Sequence, residues 1–150
     1  MISYEVSQAE LNAIIRNLAG IEKTLFNSTI LEKIALDMKQ RIKLRTQSGK
    51  DKNNKNFKKY SAGYAKKEGK TLVNLTQTAG MLNSMTQKAM GNDAVKIFFS
   101  NNRAKKLADI HMNSAKKIRA FFGVNKDDNA FAFSSYRKAI APELAKRGIT

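Results

Sequence analysis

The stretch AVKIFF, Ala94 to Phe99, decides the fold class of this 150-residue chain. Valine, isoleucine and phenylalanine favour β-structure, so these six residues form the clearest predicted strand. The Asn92-Asp93 pair is a turn signal before the strand, and Asn101-Asn102 breaks it. Most of the other apolar residues recur at helical spacing, so the chain is predicted to combine helices with a small amount of strand.

Two amphipathic helices are predicted near the N-terminus. Ser7 and Glu10 have capping-box spacing, and apolar residues then recur on one helical face within 7–21. Asn27 or Ser28 can cap a second helix of about 20 residues. Its apolar stripe consists of Ile30, Leu31, Ile34, Met38 and Ile42.

The residues before the strand carry two overlapping patterns. Residues 71–90 begin with an apolar alternation and end with helical spacing. The helical spacing places four apolar residues on one face: Met81, Leu82, Met85 and Ala89.

The residues after the strand predict two helices and one ambiguous segment. Residues 103–112 favour a short helix, and the segment 118–124, IRAFFGV, is either a second strand or an extended segment beside the first. From about Asp127, acidic residues precede a last helix. Pro142 either kinks that helix or begins a new last turn.

The charge is the strongest compositional signal. The chain carries 28 basic and 12 acidic residues, a formal net charge of +16. Such an excess repels itself in the folded state, and a polyanionic partner is the usual compensation: nucleic acid, an acidic protein or an anionic membrane. Solubility alone is the simpler explanation of a lysine-rich surface.

Residues 49–70 concentrate this charge in a predicted loop or arm, with a short helix near 61–67. Three aromatic residues lie between its lysines: Phe57, Tyr60 and Tyr64. They either stack on nucleic-acid bases or anchor the arm on the core, and we favour the anchor. The composition also suits a segment that orders on assembly with a neighbouring subunit.

Enzymatic and metal chemistry find little support in the sequence. The chain has no cysteine and a single histidine, His111, without a nucleophile-elbow pattern around any serine. Its acids are scattered, and Asp127-Asp128 is better explained as a helix cap than as a metal ligand pair. No phosphate-binding loop, signal peptide or membrane-spanning run is evident. We therefore expect no catalytic residue, metal ion or cofactor, and no membrane partner.

Three segments in order resemble the virion morphogenesis, or tail completion, proteins of tailed bacteriophages. The first, GKDKNNKNFKKYSAGYAKKEGK, matches an Asp, a turn glycine, an aromatic residue and Tyr-Ser followed by Tyr, with Asn54 in place of the glycine. The second, LTQTAGMLNSM, has Gly80 one position later than the family's Thr-Gly pair. The third, HMNSAKKIRAFFG, retains His111, Arg119 and Gly123 but has Ser114 where glycine is usual and lacks a proline.

The resemblance spans roughly residues 40–128 of the chain. It implies a single α+β domain over 1–150, with a small curled antiparallel sheet flanked by N-terminal helices and a C-terminal helix. It also implies a non-enzymatic ring of six or twelve copies at the head–tail junction, assembled in the host bacterial cytoplasm. Neighbouring connector, neck or tail proteins and the DNA in the channel would be the partners.

A basic protein that binds nucleic acid without sequence specificity is the alternative function. The same side chains are the candidate contacts to a partner or to channel DNA in both cases. They are Lys50, Lys52, Lys55, Lys58, Lys59, Lys66, Lys67, Lys116, Lys117 and Arg119. In the third segment we expect Lys116, Lys117 and Arg119 to face a partner or the lumen. We expect Phe121 or Phe122 to enter the core, and Gly123 to turn the chain toward the last helix.

Overall fold

The structure is a computed structural model that describes residues 12, 25, 27–75, 79–92, 94–113 and 118–149. Along these residues the elements are five helices and two strands. They are α1 (Ser28–Gln47), α2 (Ala62–Glu68), α3 (Ala79–Asn83), β1 (Met85–Met90), β2 (Ala94–Phe99), α4 (Asn102–Asn113) and α5 (Lys126–Ala145). The predicted α+β class is confirmed, whereas the helix predicted within 7–21 lies outside the described residues.

Helix α1 is the element around which the others pack. Asn27 caps it by accepting a hydrogen bond from the Thr29 amide at 2.8 Å. The buried residues of α1 recur every three or four positions, so one face points inward. Helix α1 contacts both strands as well as α5. The predicted cap and length of this helix are confirmed.

Strands β1 and β2 form an antiparallel hairpin in which Met85 pairs with Phe99 and Met90 with Ala94. The predicted AVKIFF strand is confirmed with the same bounds. The helix predicted from the spacing at the end of 71–90 is wrong in its extent, because the helix covers only Ala79–Asn83 and Met85–Met90 form a strand. Pairing with β2 decides this segment, because Met85 and Ala89 lie on one face of a strand as well as of a helix.

The hydrophobic core lies between α1, the hairpin, α4 and the segment 118–124. Phe121 is fully buried, and its ring meets that of Phe99 edge-on at 6.3 Å between centroids. This confirms that a phenylalanine of the third segment enters the core. Residues 118–124 form no strand, so the first of the two predicted alternatives is wrong. The segment is irregular, with bends at Phe122 and Gly123, and contacts β2 through the rings of Phe121 and Phe122 against Phe99.

Helix α5 begins with a complete capping box, in which Asn125 is the cap and Asp128 the third helical residue. Asp127-Asp128 therefore lie in the first turn and do not form the cap itself. Pro142 lies inside α5, which continues to Ala145. No described helix has the length and apolarity needed to span a membrane.

Candidate functional site

Residues 49–57 form a tight turn that carries three of the candidate lysines. An isolated bridge joins Lys50 and Asn56, and the Asp51 carboxylate accepts hydrogen bonds from the amides of Asn53 and Lys55 at 2.8 and 2.9 Å. Asn54 has a φ of 63°, a left-handed conformation that asparagine tolerates better than most residues. The expected glycine-like role of Asn54 in this turn is thus confirmed for the backbone.

Phe57 fixes the turn to the body of the protein. Its side chain is buried in the same core as Ile42 and Phe121, and its amide donates to the Gly49 carbonyl at 2.8 Å. The interpretation of Phe57 as an anchor is confirmed. A buried ring is not available to stack on a base, so Phe57 is not a partner contact.

The chain then runs into α2, which has no buried residue. Ser61 caps this helix, and Gly69 ends it with a φ of 61°. Tyr60 is half-buried against the core, whereas Tyr64 is exposed, and their rings lie 4.8 Å apart. Of the three aromatic residues, Tyr64 is therefore the most accessible to a partner.

We call residues 49–68, which include the turn and α2, the basic platform. Six of its candidate lysines are exposed, namely Lys50, Lys55, Lys58, Lys59, Lys66 and Lys67. Between described residues, no ion pair includes any of these six. Within the described part of the chain, these six lysines thus present positive charge without an ion-pair partner, on a backbone that is folded in the single chain.

Lys52 differs from these lysines because its backbone joins the platform to residues 120–125. Its amide donates to the Ala120 carbonyl, and its carbonyl accepts from the Asn125 side chain, both at 2.7 Å. Its side chain is half-buried. A Cβ added at Gly123, whose φ is 145°, would come within 3.1 Å of Lys52 Cδ. Gly123 thus makes the predicted turn possible.

The prediction that Arg119 faces a partner or the lumen is wrong. The side chain is buried, and its guanidinium lies 5.0 Å from the centre of the Tyr60 ring. Its amide donates to the His111 carbonyl at 2.7 Å, near the end of α4. Arg119 is therefore a structural link between the platform and α4. Lys116 and Lys117 lie outside the described residues.

His111 is a half-buried residue whose ring packs edge-on against Phe121 at 6.5 Å. Burial and the positive charge of Arg119 lower the pKa of His111 below 6.5. The neutral imidazole is thus the form that suits this position. The described residues include no group of three His, Cys, Asp or Glu side chains placed to hold a metal ion.

Asp128 is the centre of a buried ionic network that the sequence did not reveal. Its carboxylate accepts from Arg41 Nε at 2.7 Å, from Arg45 Nη1 and from the Asn125 amide at 3.0 Å. Arg45 also donates to the carbonyls of Phe121 and Gly123 at 3.1 and 2.8 Å. One arginine thereby ties α1 to α5 and to the segment 118–124 that supports the platform.

Burial alone would raise the pKa of the Asp128 carboxyl, but the hydrogen bonds from Arg41, Asn125 and Arg45 outweigh it. The resulting pKa is below the ordinary aspartate value. Asp128 is thus charged whenever the protein is near neutral pH. The sequence signal that could have indicated this role is the Asn-x-x-Asp capping spacing, but nothing local points to the arginines of α1.

No known family matches the chain, and no curated protein or solved structure does so either.

Proposed function

We propose that the chain is a structural virion protein of the bacteriophage head–tail junction, without enzymatic activity. In this proposal it forms a ring of six or twelve copies that joins the head connector to the tail and lets DNA pass. The observation that carries the proposal is the basic platform, in which exposed lysines stand on a turn anchored by the buried Phe57. Repeated around a ring, the platform would present a polycationic surface to DNA or to acidic neighbouring proteins.

The sequence resemblance supports a neck protein over other basic proteins. Three segments occur in the family's order, and Asn54 has the left-handed backbone that suits the family's turn glycine. Gly123, the last residue of the third segment, has a φ of 145° at the turn into α5. These conformations fit the two turns that the family pattern marks.

The direct test is complementation of head–tail joining. In a phage that encodes this chain, deletion of the gene is expected to leave filled heads and separate tails, and the purified protein should join them in an extract. A variant with Lys66→Glu and Lys67→Glu should join them less well. Deletion virions that carry normally attached tails would overturn the proposal.

A sequence-independent nucleic-acid-binding protein is the second candidate, favoured by the exposed Tyr64 beside the lysines of α2. Phosphate contacts release counterions, so affinity for duplex DNA should fall steeply as salt rises. Each lysine that contacts a phosphate contributes about −0.9 to the slope of log K against log salt. The pair Lys66→Glu and Lys67→Glu should then reduce the slope by roughly 2. Affinity that is indifferent to salt would exclude this function.

A further inference from the structure

A second surface, distant in sequence from the basic platform, has the features of a docking groove. It lies along α4 and encloses about 580 Å³. Its floor is formed by Phe99, Ala108, Met112 and Phe122. We call this surface the α4 groove.

The floor of the α4 groove is held in place by contacts between its own residues. The rings of Phe99 and Phe122 lie 5.2 Å apart, and the Phe122 amide donates to Met112 Sδ at 3.4 Å. All three side chains are half-buried, and they pack against the hydrophobic core. A ligand would therefore meet a preformed apolar surface and would not have to order it.

The rim of the groove is positively charged. Lys105 and Lys106 are exposed, and between described residues neither forms an ion pair. The carboxylate of Asp109, also at the rim, accepts a hydrogen bond from Asn113 Nδ2 at 2.6 Å. As far as the structure describes the chain, the two ammonium groups are available to carboxylates of a partner.

We propose that the α4 groove docks a segment of a different protein, one in which large apolar side chains alternate with Asp or Glu. Apolar side chains would cover Phe99 and Phe122 while carboxylates meet Lys105 and Lys106. This inference stands independently of the proposed function, because it rests on the groove and its rim alone.

Charge argues against the two other occupants. A second copy brings a net charge of +16 to a rim that is already positive, a repulsion that any ring of copies must also offset, so an acidic segment is favoured over a second copy at this groove. Duplex DNA would satisfy the lysines but presents a phosphate backbone, which cannot cover an apolar floor. An acidic, apolar protein segment satisfies both parts of the groove.

The test uses a fluorescent synthetic peptide in which leucines alternate with glutamates. Saturable binding by anisotropy is expected, and it should be lost when the leucines are replaced by alanine. Lys105→Glu with Lys106→Glu should weaken binding roughly tenfold or more, because two attractive contacts become repulsive. Lys66→Glu with Lys67→Glu is the matched control, since it reverses two adjacent exposed lysines on α2. It should change affinity less than about twofold.

Methyl NMR of the unmodified protein locates the binding without a mutation. With ¹³C-methyl methionine labelling, the peptide should shift the Met112 resonance and leave that of the exposed Met90 unchanged. Any of four results would overturn the proposal: no saturable binding, equal binding of the leucine-free peptide, an equal effect of the two charge reversals, or an unshifted Met112. A Met112 shift with duplex DNA in place of the peptide would assign the groove to nucleic acid instead.

Discussion

Replacing Asp128 by asparagine should destabilise the protein strongly. The substitution preserves the shape of the side chain but removes the charge that compensates Arg45, whose side chain is only 6% exposed. Leaving one member of a buried ion pair uncompensated costs about 3–5 kcal/mol. Asparagine retains one acceptor oxygen. The Arg41 side chain is 35% exposed, so water can solvate its guanidinium when the carboxylate is lost. We therefore expect the lower end, about 3 kcal/mol.

Urea denaturation followed by circular dichroism at neutral pH measures this loss directly. The corresponding fall in the melting temperature is roughly 6–12 °C for a chain of this size. Asp127→Asn is the matched control, because Asp127 is the preceding residue in the same turn but is exposed. Its effect should stay within about 0.5 kcal/mol. A loss below about 1 kcal/mol for Asp128→Asn would show that this network does not hold α1, α5 and the segment 118–124 together.

Three further predictions concern the support of the platform and its response to pH. Gly123→Ala should lower the free energy of unfolding by more than about 1 kcal/mol, because alanine is strained at a φ of 145° and its Cβ would crowd Lys52. By contrast, the Cβ added by Gly63→Ala in α2 would meet no atom within 4 Å, so this substitution should stabilise the protein. Urea unfolding of both variants checks this, and equal effects would contradict it. Phe57→Ala should cost about 3–5 kcal/mol, whereas Tyr64→Ala should cost less than about 1 kcal/mol. Equal losses would show that Phe57 is not an anchor. Because the folded pKa of His111 lies below 6.5, stability is full above that pH and falls as the pH drops through the folded pKa. Melting temperatures between about pH 7.5 and 5 should show this fall, and His111→Gln should flatten it.

The features that the sequence predicted well depend on local interactions. The cap at Asn27, the strand from Ala94 to Phe99 and the left-handed turn at Asn54 are set by side chains within a few residues. The burial of Phe57 is also predictable from its local sequence, because a large aromatic residue in a polar segment has a strong tendency to be buried. These features can therefore be predicted without knowledge of the rest of the fold.

The features that the sequence did not predict depend on distant partners. Residues 85–90 satisfy both helical and strand spacing, and only pairing with β2 selects the strand. Arg119 belongs to a residue type that is mostly exposed, but Tyr60 and the core cover it. Asp128 is separated from Arg41 and Arg45 by 87 and 83 residues, so its ionic role is invisible to any local pattern.

The set of predicted partner contacts also differs from what the structure shows, because burial depends on residues that are distant in sequence. The sequence placed lysines and Arg119 together as partner contacts, whereas the structure separates six exposed platform lysines from a buried structural arginine. Local composition identified the charge of residues 49–70 correctly. It could not show that the turn and α2 are already folded on the body of the protein.

The mass of the assembled protein tests the central proposal most directly. Sedimentation velocity should be recorded over a wide range of protein concentration, at low and moderate salt, since salt screens the repulsion between copies of charge +16. We expect a single discrete species of six or twelve copies, favoured by moderate salt or by a polyanion. A monomer of 16.8 kDa at every concentration and salt, with no assembly on added duplex DNA, would contradict it.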